Sequence, residues 1–314
     1  MKEYIIGKNE AGQRFDKYIF KLLKNAGTGL IFKQLRNKNI VLNGKKAKGN
    51  EILKENDSVR IFMSDDTINK FTGGPLHISK TGFRLDVIYE DDDILLASKP
   101  VGVLSQKSSD KDISMNEYLI EYLTDNGFGK ENLATFKPSF CNRLDRNTSG
   151  LMIAGKSLRG LQKMSEIIKD RSIHKFYLTI VKGIVDKKSV IKGYLRKDEK
   201  NNKVVIYDNP VKDSYEIHTE YEPLATKDDM TLLKVRLITG KTHQIRAHLA
   251  GISHPVLGDF KYGDKVFNEK YGEKKQLLHS YQVVFPKLDD FPDISEKSFN
   301  TPYPVNFMKY FKEN

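Results

Sequence analysis

The sequence predicts a protein of mixed helices and strands in two units, a small basic unit followed by a larger one. Three observations lead to this prediction. Apolar residues recur at helical spacing near the start of the chain and again at 158–168. Alternating apolar residues, which are typical of strands, occur at 83–89 and 175–183. A polar stretch at 64–80, broken by Gly and Pro, separates the two units.

Positive charge is concentrated at the start of the chain. The 314 residues carry a formal net charge of +12, with an isoelectric point of about 9.3. Residues 1–62 hold 14 Lys and Arg against 6 Asp and Glu, so +8 of the +12 lies there. Such a segment indicates a polyanionic partner, most simply nucleic acid, although a merely soluble basic surface has the same composition.

The composition also excludes several classes. Cys141 is the only cysteine, which excludes disulfide scaffolds and cysteine-based metal sites. No apolar run approaches the ~20 residues of a membrane span. Residues 1–6 lack the apolar region of a signal peptide. We therefore expect a cytoplasmic protein without a membrane partner.

The first unit is predicted to contain two helices and a hairpin. Apolar residues at i, i+3, i+4, i+7 and i+8 form the face of the first helix: Phe15, Tyr18, Ile19, Leu22 and Leu23. Thr28 is a candidate N-cap for a second helix over 30–37. The pair Asn43-Gly44 predicts a two-residue turn between strands at 40–42 and 45–47, and 57–62 reads as a closing strand.

The larger unit alternates strands and helices. Strands are predicted at 83–89 and 94–99, the second ending at Pro100, and a helix follows at 116–123. The apolar run 151–154 has the composition of a buried strand. An amphipathic helix at 158–168 follows Ser157, its candidate N-cap.

The later part of this unit is predicted to contain two more strands. The strand at 175–183 places Tyr177 on the face opposite Phe176 and Leu178. A strand at 231–237 leads into the segment 239–249, which contains His243, Arg246 and His248.

The stretch 142–150 organises the rest of the chain. It places one carboxylate, Asp145, between Arg143 and Arg146, and a Thr-Ser-Gly turn follows. A carboxylate between two guanidiniums is expected to be ionised at neutral pH. Such a group can act as a nucleophile, a base or an ion-pair anchor, and an ordinary surface ion pair is the alternative.

This stretch resembles the catalytic motif of RluA-type RNA pseudouridine synthases, roughly His-Arg-Leu-Asp-Arg-Asp-Thr-Ser-Gly. Asn142 stands in place of the His and Asn147 in place of the second Asp. Three other stretches resemble motifs of the same family in the same order. They are the Lys-Pro-x-Gly sequence at 99–102, the Tyr177 strand with Thr179 in place of Ala, and the segment 240–249 with Lys241 in place of Arg.

The first unit resembles the RNA-binding module of ribosomal protein S-four, which identifies the RluC/RluD branch of the family. The resemblance implies an α+β fold: a mixed, largely antiparallel bent sheet with a central cleft, plus a small N-terminal α/β module. We expect the S-four-like domain at 1–63, a linker at 64–80 and the catalytic domain at 81–314. The RNA-binding surface of the module would be supplied by Lys33, Arg36, Lys38, Lys45 and Lys46.

The resemblance also implies a reaction and roles for residues. The protein would convert uridine to pseudouridine in RNA, most simply large-subunit ribosomal RNA, as a monomer and without a cofactor. Asp145 would be the catalytic carboxylate, by attack on sugar or base or by deprotonating the sugar. Tyr177 would stack on the base and accept its final proton, and Arg246 would pair with Asp145. Arg143 would fill the gap left by the displaced nucleotide.

Two alternatives stay open at this stage. A non-catalytic RNA-binding or ribosome-assembly protein could retain the same fold, although loss of Asp145 or Tyr177 would then be expected. A metal-dependent hydrolase would use His243 and His248. These are five residues apart rather than the four that place two ligands on one helix face, and we predict no metal site.

Overall fold

The structure is a computed structural model that describes residues 1–73, 80–129 and 133–311. The N-terminal unit contains β1 (Lys2–Ile5), α1 (Phe15–Leu22), α2 (Thr28–Arg36), β2 (Ile40–Leu42), β3 (Lys45–Lys46), β4 (Ser58–Ile61) and α3 (Asp65–Thr72). Its strands form an antiparallel sheet in the order β1-β4-β2-β3. The apolar faces of the helices pack with this sheet into one core.

Most elements predicted for this unit are confirmed. Asn43 and Gly44 both have positive φ, 50° and 71°, which is the backbone that a two-residue hairpin turn requires. Strand β1 was not predicted, because its burial pattern is mostly exposed and gives no apolar alternation. The N-cap prediction is wrong: Gly27 occupies the N-cap, and Thr28 is the first helical residue.

The segment predicted as a linker is partly structured. Residues 65–72 form α3, whose Ser64 N-cap accepts a hydrogen bond from the amide of Thr67. Ile68 is fully buried in the core of the N-terminal unit, so this half of the segment extends that unit. Residues 74–79, the other half of the predicted linker, lie outside the described residues.

The larger unit continues the alternation of strands and helices. In chain order its elements are β5 (Asp86–Glu90), β6 (Ile94–Lys99), α4 (Met115–Asp125), β7 (Ser139–Phe140), β8 (Ser149–Gly155), α5 (Leu158–Lys169), β9 (His174–Lys182), β10 (Ser189–Asp198), β11 (Lys203–Tyr207), β12 (Tyr215–Lys227), β13 (Met230–Leu237), α6 (Gln244–Gly251), α7 (Lys265–Tyr271), β14 (Leu278–Val284) and β15 (Ser298–Asn300). The short helix α8 (Val305–Met308) follows them.

One large sheet forms the centre of this unit. Its order is β11-β10-β12-β13-β9-β14-β8-β6-β5, with β15 beside β14 and β7 beside β8. Every described pair is antiparallel except β14 with β8. The predicted α+β fold with a mixed, largely antiparallel sheet is therefore confirmed.

Both faces of this sheet are covered. On β9, Tyr177 and Val181 belong to one core, together with residues of α4 and α6. Leu178 and Ile180, on the opposite face, belong to another core. The alternation in the sequence predicted this division, and it places the Tyr177 side chain on the same side of the sheet as α6.

None of the helices in the described ranges has the length and apolar character needed to cross a membrane.

Candidate active site

Asp145 lies in the turn between β7 and β8. Gly150, near the start of β8, determines how closely this segment packs against β14. Gly150 has φ +106°, and a Cβ at this position would lie 2.1 Å from the carbonyl oxygen of Ser280. The close approach arises because β14 runs parallel to β8 at this point. The amide of Thr148 donates to the carbonyl of Asp145 at 3.0 Å and closes the turn. A side chain at position 150 would move the carboxylate out of place.

Lys99 supports the same turn from the end of β6. It is fully buried, and its ammonium donates to the carbonyl oxygens of Pro100, Val103 and Arg146 at 2.8–2.9 Å. Burial lowers the pKa of Lys99 to about 8, and the charge of Asp145 opposes this shift. The sequence did not indicate this role of Lys99.

Arg246 on α6 joins two carboxylates. Its Nε and Nη2 donate to Asp259 at 2.6 and 2.8 Å, and its Nη1 donates to Oδ2 of Asp145 at 2.7 Å. The Arg246 side chain is 6% exposed and that of Asp259 is fully buried. We call this arrangement the Asp259–Arg246–Asp145 chain. It contains the pairing of Arg246 with Asp145 that the sequence predicted.

The contacts between Arg246 and Asp259 fix the charges of both residues. Burial alone would lower the pKa of Arg246, but the hydrogen bonds and charges of Asp259 and Asp145 outweigh burial and raise it. Burial would likewise raise the pKa of Asp259. Its contacts with Arg246 and with the amides of Lys261 and Tyr262 outweigh burial and lower it. Arg246 is therefore a permanent cation with a bidentate anchor.

The two arginines that flank Asp145 in the sequence do not form an ion pair with it. Arg146 donates to the carbonyl of Gly102 at 3.0 Å, and Arg143 is exposed in the wall of the cleft. The cation that pairs with Asp145 thus comes from 101 residues further along the chain. Oδ1 of Asp145 receives no hydrogen bond from any residue that the structure describes.

His243 also faces Asp145. It is the N-cap of α6 and has φ +54°, a strained backbone for a residue other than glycine. The hydroxyl of Tyr262 accepts from the amide of Val204 at 2.8 Å and lies 2.9 Å from Nδ1 of His243. Nε2 of His243 lies 4.0 Å from Oδ2 of Asp145. Burial lowers the pKa of His243 and so favours the neutral imidazole, against the nearby charge of Asp145.

Tyr177 lies in the lining of the same cleft and is 5% exposed. Burial raises the pKa of its hydroxyl to about 12, with a further increase from Asp145 and an opposing effect of Ser280. The phenol is therefore protonated at neutral pH.

These residues surround a cleft of about 760 Å³. Its lining carries the cationic side chains of Arg143, Arg146, Lys175, Lys241, Arg246 and Lys261. Asp145 is the one carboxylate among the described residues that line it. A cleft with this charge balance attracts anionic substrates.

His243 and His248 do not share a site. His248 is buried, and its Nδ1 contacts the hydroxyl of Thr219 at 2.9 Å, whereas His243 contacts Tyr262. Within the described ranges, no three His, Cys, Asp or Glu side chains are placed to hold a metal ion together.

The basic residues predicted for RNA binding are grouped in the N-terminal unit. All five are exposed, at the end of α2, in the turn after it and on β3: Lys33, Arg36, Lys38, Lys45 and Lys46. None of them forms an ion pair with another described residue. Their role in RNA binding stays a prediction.

The sequence did not predict a place in this site for Asp259 or Lys99, and it indicated His243 only as a candidate metal ligand. A signal was present for Lys99, which begins the family-like stretch 99–102. Their partners lie far away along the chain or in turns of irregular backbone, where neither period nor spacing indicates a contact.

The known proteins that this sequence resembles are RNA pseudouridine synthases. The sequence profile described as RNA pseudouridylate synthase matches residues 93–251. An uncharacterised RNA pseudouridine synthase of Mycoplasma genitalium is 31% identical over 304 residues, covering 94% of this chain and 93% of the relative. The ribosomal large subunit pseudouridine synthase C of Pasteurella multocida is 28% identical, covering 91% of this chain and 86% of its own length.

The fold has solved counterparts. The structure of human RNA pseudouridylate synthase domain containing 4 aligns with a TM-score of 0.59 at 20% identity, covering 72% of this chain and 91% of that one. At this identity the likeness concerns the fold alone.

Proposed function

Because the chain belongs to the RNA pseudouridylate synthase family and isomerises uridine in RNA, we propose that Asp145 is its catalytic carboxylate. We propose large-subunit ribosomal RNA as the substrate. The observation that carries the catalytic part is the Asp259–Arg246–Asp145 chain, which holds one carboxylate in a cationic cleft. Relatives named for the large ribosomal subunit support the choice of RNA.

The reaction explains why a fixed carboxylate is needed. The glycosidic bond from the sugar to a uracil nitrogen breaks, the uracil turns, and a bond forms from the same sugar carbon to the fifth carbon of uracil. The proton on that fifth carbon then leaves, and the nitrogen released from the sugar gains a proton, so the formula is unchanged. The rearrangement is redox-neutral, so the proposal includes no cofactor. Arg246 holds Oδ2 of Asp145, which leaves Oδ1 to act on the sugar or the base.

Tyr177 is proposed to stack on the detached uracil and to take the final proton. Its raised pKa limits how this can happen, because a protonated phenol is a poor base. The hydroxyl can accept a proton only while it passes its own proton to a neighbour. Hydrogen bonding from Ser280 lowers the pKa of this hydroxyl, but burial outweighs that effect.

The target uridine must leave the RNA stack to reach Asp145, at a cost of a few kcal/mol. Arg143 is exposed in the wall of the cleft, where it can contact RNA without breaking an ion pair with another described residue. We propose that it occupies the space left by the displaced nucleotide.

The N-terminal unit is proposed to be an S-four-like RNA-binding domain. Its exposed basic residues at the end of α2 and on the β2–β3 hairpin support this role, since phosphate contact needs positive charge on a compact scaffold. The core contacts of α3 extend the domain beyond its predicted end at residue 63. The protein is further proposed to be monomeric and cytoplasmic.

The test is a map of pseudouridines in total RNA, ribosomal RNA included, from cells that lack this protein. We expect specific pseudouridines of the large-subunit RNA to be absent and to return when the intact gene is restored. The matched control restores the Asp145→Asn gene. An unchanged large-subunit map would contradict the ribosomal substrate, and sites lost in another RNA would identify that RNA instead.

A further inference from the structure

Phe260 differs from Tyr177 in its exposure, although both side chains line the cleft. Its side chain is 71% exposed, whereas Tyr177 is 5% exposed. Single exposed apolar residues are common on protein surfaces, so exposure alone does not indicate a site. Phe260 differs from such surface residues in two respects. It lies in the wall of the cleft, and hydrogen bonds hold the turn that carries it.

Hydrogen bonds hold the backbone on both sides of Phe260. The buried carboxylate of Asp259 accepts from the amides of Lys261 and Tyr262 at 2.8 and 3.2 Å. The carbonyl of Asp259 accepts from the side-chain amide of Asn268 at 3.1 Å. Moving Phe260 into the core would break these bonds and the buried ion pair with Arg246.

The two residues after Phe260 are anchored by their side chains. Lys261 donates to the carbonyl of Asn202 at 2.8 Å, and the hydroxyl of Tyr262 accepts from the amide of Val204 at 2.8 Å. Both contacts connect the turn to the end of the β10–β11 hairpin. Phe260 is thus an exposed side chain on an otherwise anchored turn.

The same turn is connected to the candidate catalytic carboxylate. Asp259, the residue before Phe260, binds Arg246 through two hydrogen bonds, and Arg246 binds Asp145 through a third. Each of these contacts is between buried or half-buried groups. The Phe260 backbone is therefore held at a fixed spacing from the carboxylate.

We propose that the Phe260 ring is a stacking platform for an unpaired nucleobase adjacent to the target uridine. The inference rests on the proposed function, since it takes RNA as the occupant of the cleft. A phenyl ring has no hydrogen-bonding group, so it contacts the face of a base and accepts any of the four. The cations of the cleft, including Lys241 and Lys261, suit the phosphates on either side of that base.

A platform at fixed spacing would set the register of the RNA strand. A base stacked on Phe260 determines which neighbouring nucleotide can reach Asp145. Residue 260 is therefore expected to affect affinity for RNA and accuracy of site choice, and to leave the chemical step unchanged.

The test is a double-mutant cycle between the protein and the RNA. The RNA is the ribosomal fragment containing the uridine found by mapping, intact or with one abasic nucleotide on either side of that uridine. Phe260→Ala should bind intact RNA about 5- to 150-fold more weakly, the range for loss of one stacked base. It should lose no further affinity for the RNA that is abasic at the stacked position. Its rate at saturating RNA should match the parent.

Two controls make the result specific. Phe260→Tyr keeps the ring and should bind like the parent. Val266→Ala removes another exposed apolar side chain, 77% exposed on α7 and outside the cleft lining, and should have no effect.

A Phe260→Ala protein with parental affinity would overturn the platform, as would an equal loss of affinity on every RNA. If the parent forms pseudouridine but the loss of affinity in Phe260→Ala does not depend on the abasic position, only the proposed stacking role of Phe260 is rejected. If the parent forms none in any RNA, the proposed function fails and the platform with it.

Discussion

The cleft and the N-terminal unit differ in how their positive charges are placed: Arg246 of the cleft is buried and paired, whereas lysines of the N-terminal unit are exposed. In the cleft, Arg246 is 6% exposed and makes three hydrogen bonds to two carboxylates. In the N-terminal unit, Lys45 and Lys46 are exposed on a two-residue strand, and neither forms an ion pair with another described residue. Fixed charge can orient a reacting group, whereas exposed charge can adapt to a phosphate backbone. This difference is consistent with our proposal that the first region serves chemistry and the second serves affinity for RNA.

Arg246→Met should have the largest effect. It leaves the fully buried Asp259 carboxylate unpaired, which typically costs about 3–5 kcal/mol of unfolding free energy. It also releases Asp145, and misplacement of a reacting group by ~1 Å can reduce the rate by about 100-fold. Urea unfolding and tritium release from RNA labelled at the fifth carbon of uracil measure the two effects.

A second variant separates stability from catalysis. Arg246→Met combined with Asp259→Leu removes the unpaired buried charge, so it should regain part of the lost stability without activity. The recovery is partial because the amides of Lys261 and Tyr262 lose their acceptor. If activity returned together with stability, Arg246 would serve the fold alone, and the contrast between the two regions would disappear.

Tyr177→Phe should have the next largest effect, on the rate of tritium release. The ring and its packing are kept, but the hydroxyl that is proposed to accept the last proton is lost. We expect RNA binding to be unchanged and tritium release to fall by roughly 100-fold or more. Tyr221→Phe is the matched control, because Tyr221 packs against the same core outside the cleft lining. Release at the parental rate would leave Tyr177 with a stacking role only.

Acid should weaken the larger unit through its buried histidines. Burial lowers the pKa of His248 and of His279 to about 4, against about 6.5 in an unfolded chain. Between these values the unfolded state binds more protons, so stability is lost as the pH falls from 6.5 towards 4. At pH 5 the loss is about 2 kcal/mol for each group.

The pH effect is checked by urea unfolding at pH 7.5 and pH 5. His279→Gln should lose less stability between the two pH values than the parent does, whatever its stability at pH 7.5. An equal loss in both proteins would show that His279 does not resist protonation.

Neutralising the exposed lysines should have the smallest effect. Lys45→Gln with Lys46→Gln should reduce the slope of log affinity against log salt by roughly 1 to 2, because fewer counterions are released. The rate at saturating RNA should stay unchanged. The control is Lys265→Gln with Lys287→Gln, two exposed lysines of the larger unit. The same slope in both double variants would remove the phosphate-binding role of the hairpin.

The sequence predicted the elements whose apolar pattern is strong. The α5 helix, the β9 strand and the Asn43-Gly44 hairpin all lie close to their expected positions. The mostly exposed β1 was missed, and α3 was read as part of a linker because Asp, Asn, Lys and Thr make up most of its sequence, DDTINKFT. In both cases tertiary packing stabilises an element that local pattern does not indicate.

For the site, short motifs indicated Asp145, Tyr177 and Arg246, and the structure places all three in one cleft. The sequence could not show that Asp259 anchors Arg246 or that Lys99 supports the turn of Asp145. Those contacts depend on where α6 and the end of β6 meet other segments in the folded chain.

The central claim is that Asp145, held by Arg246, performs the chemistry. Tritium release by Asp145→Asn tests it most directly, because Asn keeps the shape of the side chain and removes its charge. RNA binding and the urea midpoint are measured on the same protein, and both should stay close to those of the parent. We predict no release above background. Release at a substantial fraction of the parental rate by a folded, RNA-binding Asp145→Asn protein would contradict the claim.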